Sequence, residues 1–151
     1  MQDLKPEDAA RKDWLSLLAK TQEGDVGALL DAQGPRPAFT WLRPPEIGSV
    51  MVRGRAGATG APFNLGEMTV TRCTLQLVDG TVGHAYLQGR RKNCAEAAAL
   101  VDALMQTDRA NDVRNSVIVP LQDKQNTARR TRAEKAASTK VDFFTMVRGE
   151  D

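Results

Sequence analysis

Over residues 7–22, Ala10, Trp14, Leu17 and Leu18 recur at helical spacing, with Arg11, Lys12, Asp13 and Lys20 on the remaining positions. One apolar stripe at that period predicts an amphipathic helix. Gly24 ends it, and a second short helical turn over residues 26–30 closes at Gly34-Pro35. The pair is read as a packing device, because its second element lacks the basic and amide side chains a DNA-reading helix needs. Pro35, Pro37, Pro44 and Pro45 then break helix and bracket residues 38–42 as a short edge strand. Residues 50–55 form a second strand, and the glycines at 54, 57, 60 and 66 predict a loop after it.

The clearest strand spans residues 68–78. Thr69, Thr71, Cys73, Leu75 and Leu77 share one face, and Met68, Val70, Arg72, Thr74 and Gln76 the other. Asp79-Gly80 is a strong hairpin signal, so residues 82–88 return antiparallel and end at Gly89. Ala97, Leu100, Val101 and Leu104 place an apolar stripe on a helix at about 93–106. Helices, an antiparallel meander, then a helix laid across it define an α+β fold. Residues 122–140 favour helix but are polar nearly all round, as in a helix that bridges solvent or is held by a partner. The final stretch, Val141-Asp142-Phe143-Phe144-Thr145-Met146-Val147-Arg148-Gly149, is apolar and β-prone. Exposed, it would be an aggregation hazard, so it is expected to dock, on its own sheet or on another chain.

With 151 residues, 41% hydrophobic and 26% charged, the chain is expected to form one domain. Residues 1–34 are its helical opening, 35–106 its sheet and packing helix, and 107–151 a helix and tail that contact partners. Aromatic residues are only 5%, so the core rests on Leu, Val and Ala. No apolar run approaches the ~20 residues of a bilayer crossing, and the polar, acidic N-terminus is no signal peptide. A cytoplasmic location is expected, with Cys73 and Cys94 as free thiols. The net charge of +2 argues against a dedicated nucleic-acid binder, and without a long apolar run no membrane partner is expected. Between residues 124 and 140, however, Arg129, Arg130, Arg132 and Lys135 face a single acid, Glu134. A nucleic-acid adaptor acting through that segment is a minor alternative.

Catalytic groups are sparse. His84 is the one histidine, and its spacing from Cys73 and Cys94 matches no zinc pattern. A Cys94–His84 nucleophilic pair is allowed by composition, but a buried thiol near a helix start is the preferred reading. The Gly57-Ala58-Thr59-Gly60 stretch lacks the lysine of a triphosphate loop and enters a strand. It is read as a tight turn, with a backbone nest for an anion, aided by Arg53, Arg55 or Arg72, as the alternative. Gly89-Arg90-Arg91-Lys92 sets three cations at a helix start, against the helix dipole unless an anion or a partner's carboxylate sits there.

Four stretches taken in order carry a family resemblance. They are Arg55-Ala56-Gly57-Ala58-Thr59-Gly60 with Phe63-Asn64-Leu65-Gly66-Glu67, Thr69-Val70-Thr71-Arg72, Gly89-Arg90 with the helix ending Asp102-Ala103-Leu104, and the terminal motif. Nearly end to end, the chain resembles the PhnG family, the G subunits of bacterial carbon–phosphorus lyase systems. It departs from that pattern at Arg91, where an acid is expected, and at Cys94, where some members carry His. Those departures mark this corner as interface or surface.

The resemblance implies a non-catalytic interaction subunit of a phosphonate-degrading core complex, with H, I and J subunits as partners. In that complex ATP is a substrate whose adenine is displaced by a phosphonate, giving a ribose 1-phosphonate 5-triphosphate. No cofactor is expected in this chain. The iron–sulfur cluster and S-adenosylmethionine belong to another subunit, since two cysteines are too few to hold such a cluster. The partner-interface candidates are Asp142, Phe143, Phe144, Met146 and Arg148. Gly57, Thr59, Gly60, Arg72, Gly89 and Arg90 are candidates for anion or partner binding. In the alternative reading they contact ATP or phosphonate directly at a shared active site.

Overall fold

The computed structural model describes residues 5–140. Helix α1, Pro6–Ala19, starts with proline in its first turn and Glu7 and Asp8 against the positive end of its dipole. It buries Trp14 and Leu18. Gly24, expected to end this helix, instead stands before α2, Asp25–Asp31, with φ of 84°. The first helix stops five residues earlier, at Ala19.

Three strands follow, β1 Phe39–Arg55, β2 Pro62–Leu77 and β3 Val82–Gln88, in the order β1-β2-β3 and antiparallel throughout. Here the proline and glycine readings need correction. The segments 38–42 and 50–55 belong to one continuous strand that runs through Pro44-Pro45. Register shifts on either side of Arg43 leave both prolines out of the pairing. An edge strand tolerates this, because the donors its prolines lack are not required there. The expected glycine loop is likewise mostly strand. Only residues 56–61 turn, and Gly66 pairs with Val52 inside the ladder. The Asp79-Gly80 hairpin stands as expected. Gly80 has φ of 91°, and the Asp79 carboxylate accepts the Thr81 N–H at 2.9 Å.

Thr71, Cys73, Leu75 and Leu77 are buried on the core face of β2. Helix α3, Lys92–Leu104, crosses that face and is buried over most of its circumference, including Ala97, Ala98, Ala99, Leu100 and Val101. Such a helix is a core element with packing on both sides. The sheet lies on one side, and α1 and α2 lie on others. Its alanines admit a very close approach at Gly83 of β3. A Cβ there would lie 2.8 Å from the Ala103 Cβ and against the Ala99 carbonyl oxygen.

After α3 the chain is helical almost to its last described residue: α4 Ala110–Val113, a π-turn Arg114–Ile118, and α5 Val119–Ser138. The wide turn immediately precedes Pro120, whose ring would otherwise meet the Ser116 carbonyl one turn back. Val113, Val117, Ile118 and Leu121 bury against the core. Beyond Leu121, α5 has no buried residue, as its polar sequence predicts.

Two elements extend past this body. β2 pairs with β3 only from Val70 to Gln76. The rest of the β1–β2 ribbon therefore stands alone, about 27 Å long at ~3.4 Å per residue over residues 62–69. Helix α5 makes its last hydrogen bond to the body through Gln125, whose amide donates to the Leu17 carbonyl at 3.0 Å. About 20 Å of helix follows, at ~1.5 Å per residue. Both leave from the end of the molecule where β3 stops, α3 starts and α1 finishes, since Gln88, Arg91, Thr21 and Gln125 line one groove there.

Candidate functional site

The candidate anion-binding residues do not converge. Gly57, Thr59 and Gly60 sit at the tip of the ribbon, in a turn closed by the Gly60 N–H to the Ala56 carbonyl at 2.9 Å. A Cβ on Gly60 would lie 2.8 Å from that same oxygen, so the loop is a tight turn folded on itself. Arg72 lies at the centre of β2, roughly 30 Å along the strand from that tip. Its Nε donates to the Glu46 carboxylate at 2.6 Å across the β1–β2 ladder, and Arg43 joins from the other side at 2.7 Å. The Arg72 hydrogen bond, then the two guanidinium charges, hold Glu46 below the usual carboxylate range, although burial opposes them.

Gly89 and Arg90 form the turn into α3. The Thr71 hydroxyl organises this corner, donating to the Gly89 carbonyl at 2.6 Å and accepting the Arg91 N–H at 2.9 Å. Arg91 does not oppose the α3 dipole unaided. Its guanidinium turns away and donates to the Thr21 carbonyl at 2.7 Å, just beyond the end of α1. Arg90 is exposed. The interface candidates Asp142, Phe143, Phe144, Met146 and Arg148 lie outside the described residues.

Cys73 and Cys94 are both buried free thiols. The Cys73 thiol donates to the Ala95 carbonyl at 3.3 Å, and burial, aided by the Glu96 charge, pushes its pKa up to about 12. His84 is exposed and bonds Thr74 at 3.1 Å on the opposite face of the sheet. The exposed imidazole thus lies on the face away from the buried thiols of Cys73 and of Cys94 in α3, and the Cys94–His84 pair is not brought together. Among the described residues, no three His, Cys, Asp or Glu side chains cluster as metal ligands. None of the described helices is long and apolar enough to cross a membrane.

Two features went unread in the sequence. The first is Asp102, fully buried in α3. Its carboxylate accepts from Arg11 Nε at 3.2 Å and Nη2 at 2.7 Å, from Trp14 Nε1 at 2.9 Å and from the His84 backbone N–H at 2.8 Å. Those donors tie α1 and β3 to the central helix. An acid at the otherwise apolar position between Val101 and Ala103 was the available signal.

The second is the groove of about 780 Å³ between the end of α1, the β3–α3 turn and α5. Four cations, Lys20, Arg91, Arg129 and Arg132, line it with the amides of Gln88, Gln125 and Asn126. Gln125, Arg129 and Arg132 follow i, i+4, i+7 spacing and share one helix face. That half was legible in the sequence. Lys20 and Arg91 are brought to it only by the tertiary fold.

Taken together, these residues make a small α+β domain, with a buried carboxylate locking its layers, two elements standing clear of the body and a basic groove at their root. The model of the family described as "Phosphonate metabolism protein PhnG" matches residues 9–149, and the chain belongs to that family. A relative from Rhizobium meliloti (strain 1021), named alpha-D-ribose 1-methylphosphonate 5-triphosphate synthase subunit PhnG, is 43% identical over 143 residues. That alignment covers 95% of this chain and 92% of the relative.

Proposed function

We propose that this chain is a non-catalytic subunit of a carbon–phosphorus lyase complex, in which it supports displacement of adenine from ATP by a phosphonate. The observation that carries this reading is the pair of elements standing clear of the body. The ribbon exposes Met51, Phe63 and Leu65, and a two-stranded ribbon is marginal by itself in water. The distal half of α5 has no apolar face to bury. Surfaces of this kind are completed by another chain. Family membership and the name of the relative direct that reading to a synthase subunit. The partners proposed are the H, I and J subunits, with Phe143, Phe144 and Met146 as buried anchors and Arg148 pairing a partner's acid. The iron–sulfur cluster and S-adenosylmethionine chemistry are assigned to another subunit.

Direct contact of this chain with ATP or phosphonate through Arg72 and the glycine turn is the weaker reading. Arg72 is already engaged by Glu46, and the turn is a strand's length away.

The test is co-expression of the tagged chain with candidate H, I and J subunits, followed by the size and composition of the purified species. A stoichiometric complex is expected. Ending the chain at Lys140 should abolish co-purification while far-ultraviolet circular dichroism of the isolated protein stays unchanged. A full-length chain that purifies alone, or a shortened one that still carries its partners, would overturn the proposal.

A further inference from the structure

The densest unbalanced charge among the described residues lies in the groove at the root of α5. Arg11, Arg36, Arg43 and Arg72 are each matched to a carboxylate. Lys20, Arg91, Arg129 and Arg132 are not among the ion pairs of the described residues, and no acid lines the groove they share. Like charges gathered without a counterion repel one another, and a bound anion would relieve that repulsion.

The groove is built rather than scattered. Arg91 is half-buried, and its guanidinium is fixed on the Thr21 carbonyl while its backbone N–H is fixed on Thr71. Gln125 is fixed on the Leu17 carbonyl, and Arg132 Nε leans on the Ala128 carbonyl of its own helix at 3.3 Å. Two carbonyls at the end of α1, those of Leu17 and Thr21, are therefore already capped by donors.

The lining also indicates the ligand. It holds no aromatic ring to stack a base, and Ala19 is its one apolar side chain. An acidic protein segment would need apolar anchors there to bind tightly. What the groove offers is three guanidinium forks, an ammonium and three amides, a set suited to several tetrahedral oxyanion groups in a row. We propose that this groove binds a linear polyphosphate-type anion such as a triphosphate chain. The site is independent of Arg72 and the glycine turn and does not rest on the subunit reading.

Calorimetric titration of inorganic triphosphate into the full chain at low salt tests this. Saturable binding is expected, weakened about tenfold or more by R129Q combined with R132Q. Both side chains are exposed, so this variant should fold. R130Q, outside the groove on the same helix, should leave affinity within about twofold. Absence of binding would overturn the proposal, as would an equal loss in R130Q. Tighter binding of hexaglutamate than of triphosphate would also overturn it and assign the groove to an acidic protein surface.

Discussion

Replacing Asp102 with alanine should be among the most damaging single changes in the described fold. The carboxylate takes four hydrogen bonds from three residues on two elements. Without it, the Trp14 indole N–H is left buried with no acceptor, and the His84 backbone N–H loses its partner. Each such donor costs about 1–3 kcal/mol. Arg11 is different, because its side chain is 29% exposed and its guanidinium can return to water. The ion pair itself therefore adds only about 1 kcal/mol. The sum, about 3–7 kcal/mol, spans what breaking a buried pair usually costs and is a large share of a total near 5–15 kcal/mol.

Urea unfolding followed by tryptophan fluorescence and circular dichroism would measure it. The midpoint should fall with little change in slope, and thermal unfolding should drop by roughly 10 °C. R11A, which strands the fully buried carboxylate without its counter-charge, should cost about 3 kcal/mol, and adding it to D102A should cost almost nothing more, because both report one interaction. Should D102A lose less than about 1 kcal/mol, the buried donors would not depend on this carboxylate and the reasoning would fail.

Gly83→Ala sets a Cβ against α3 backbone that cannot move aside, and overpacking of this kind costs at least about 1–3 kcal/mol. Gly48→Ala, which meets nothing within 4 Å, should leave the thermal midpoint nearly unchanged. Cys73 should resist alkylation at pH 8 in the native chain, given its burial and a pKa near about 12, and react once urea unfolds it. Mass spectrometry of the labelled peptide decides this, and rapid native labelling would contradict it. Acid should weaken the fold through Asp31, Glu46 and Asp79, all held below their ordinary values by hydrogen bonds, chiefly from Arg36, Arg72 and the Thr81 N–H respectively. A depressed folded-state pKa stabilises fully above the unfolded value, and that contribution is lost as pH falls through the folded value. The loss should begin near about pH 4 and deepen below it. Glu46→Gln should flatten that slope in urea midpoints taken across this range.

The α+β class, the hairpin, the α3 stripe and the inward face of β2 were legible because each follows from local periodicity and turn chemistry. Pro44-Pro45 misled because a proline pair reads as a break wherever its place in the sheet is unknown. Only an edge position with shifted register makes it tolerable. Glycines 57, 60 and 66 look alike in sequence, yet two of them turn the chain and the third pairs across a ladder. Val113, Val117, Ile118 and Leu121 carry a helical pattern that Pro120 interrupts. The Asp102 lock needs partners 91 and 18 residues away, and the groove needs Lys20 beside Arg132. No spacing rule reaches that far.

The ribbon offers a separate check on the subunit reading, because its stability can be read residue by residue. Over residues 70–76, β2 has neighbours on both sides and a helix across its inner face. Over residues 62–68 it has β1 alone, while the Thr69 carbonyl still accepts the Gly89 N–H. Ladder bonds with solvent on both faces open locally at far lower free energy than those of the core. In the isolated chain, amide exchange should thus be fast over residues 48–55 and 62–68 and slow over 70–76. Binding should remove the contrast. Burying Leu65, now 67% exposed, would contribute about 1–2 kcal/mol, and every ladder bond beside it would share the protection. Leu65→Ser should therefore leave the isolated chain within about 0.5 kcal/mol of the parent while weakening the complex about tenfold. Uniform protection along β2 in the isolated chain would mean the ribbon is complete without a partner, and the argument from its exposure would collapse.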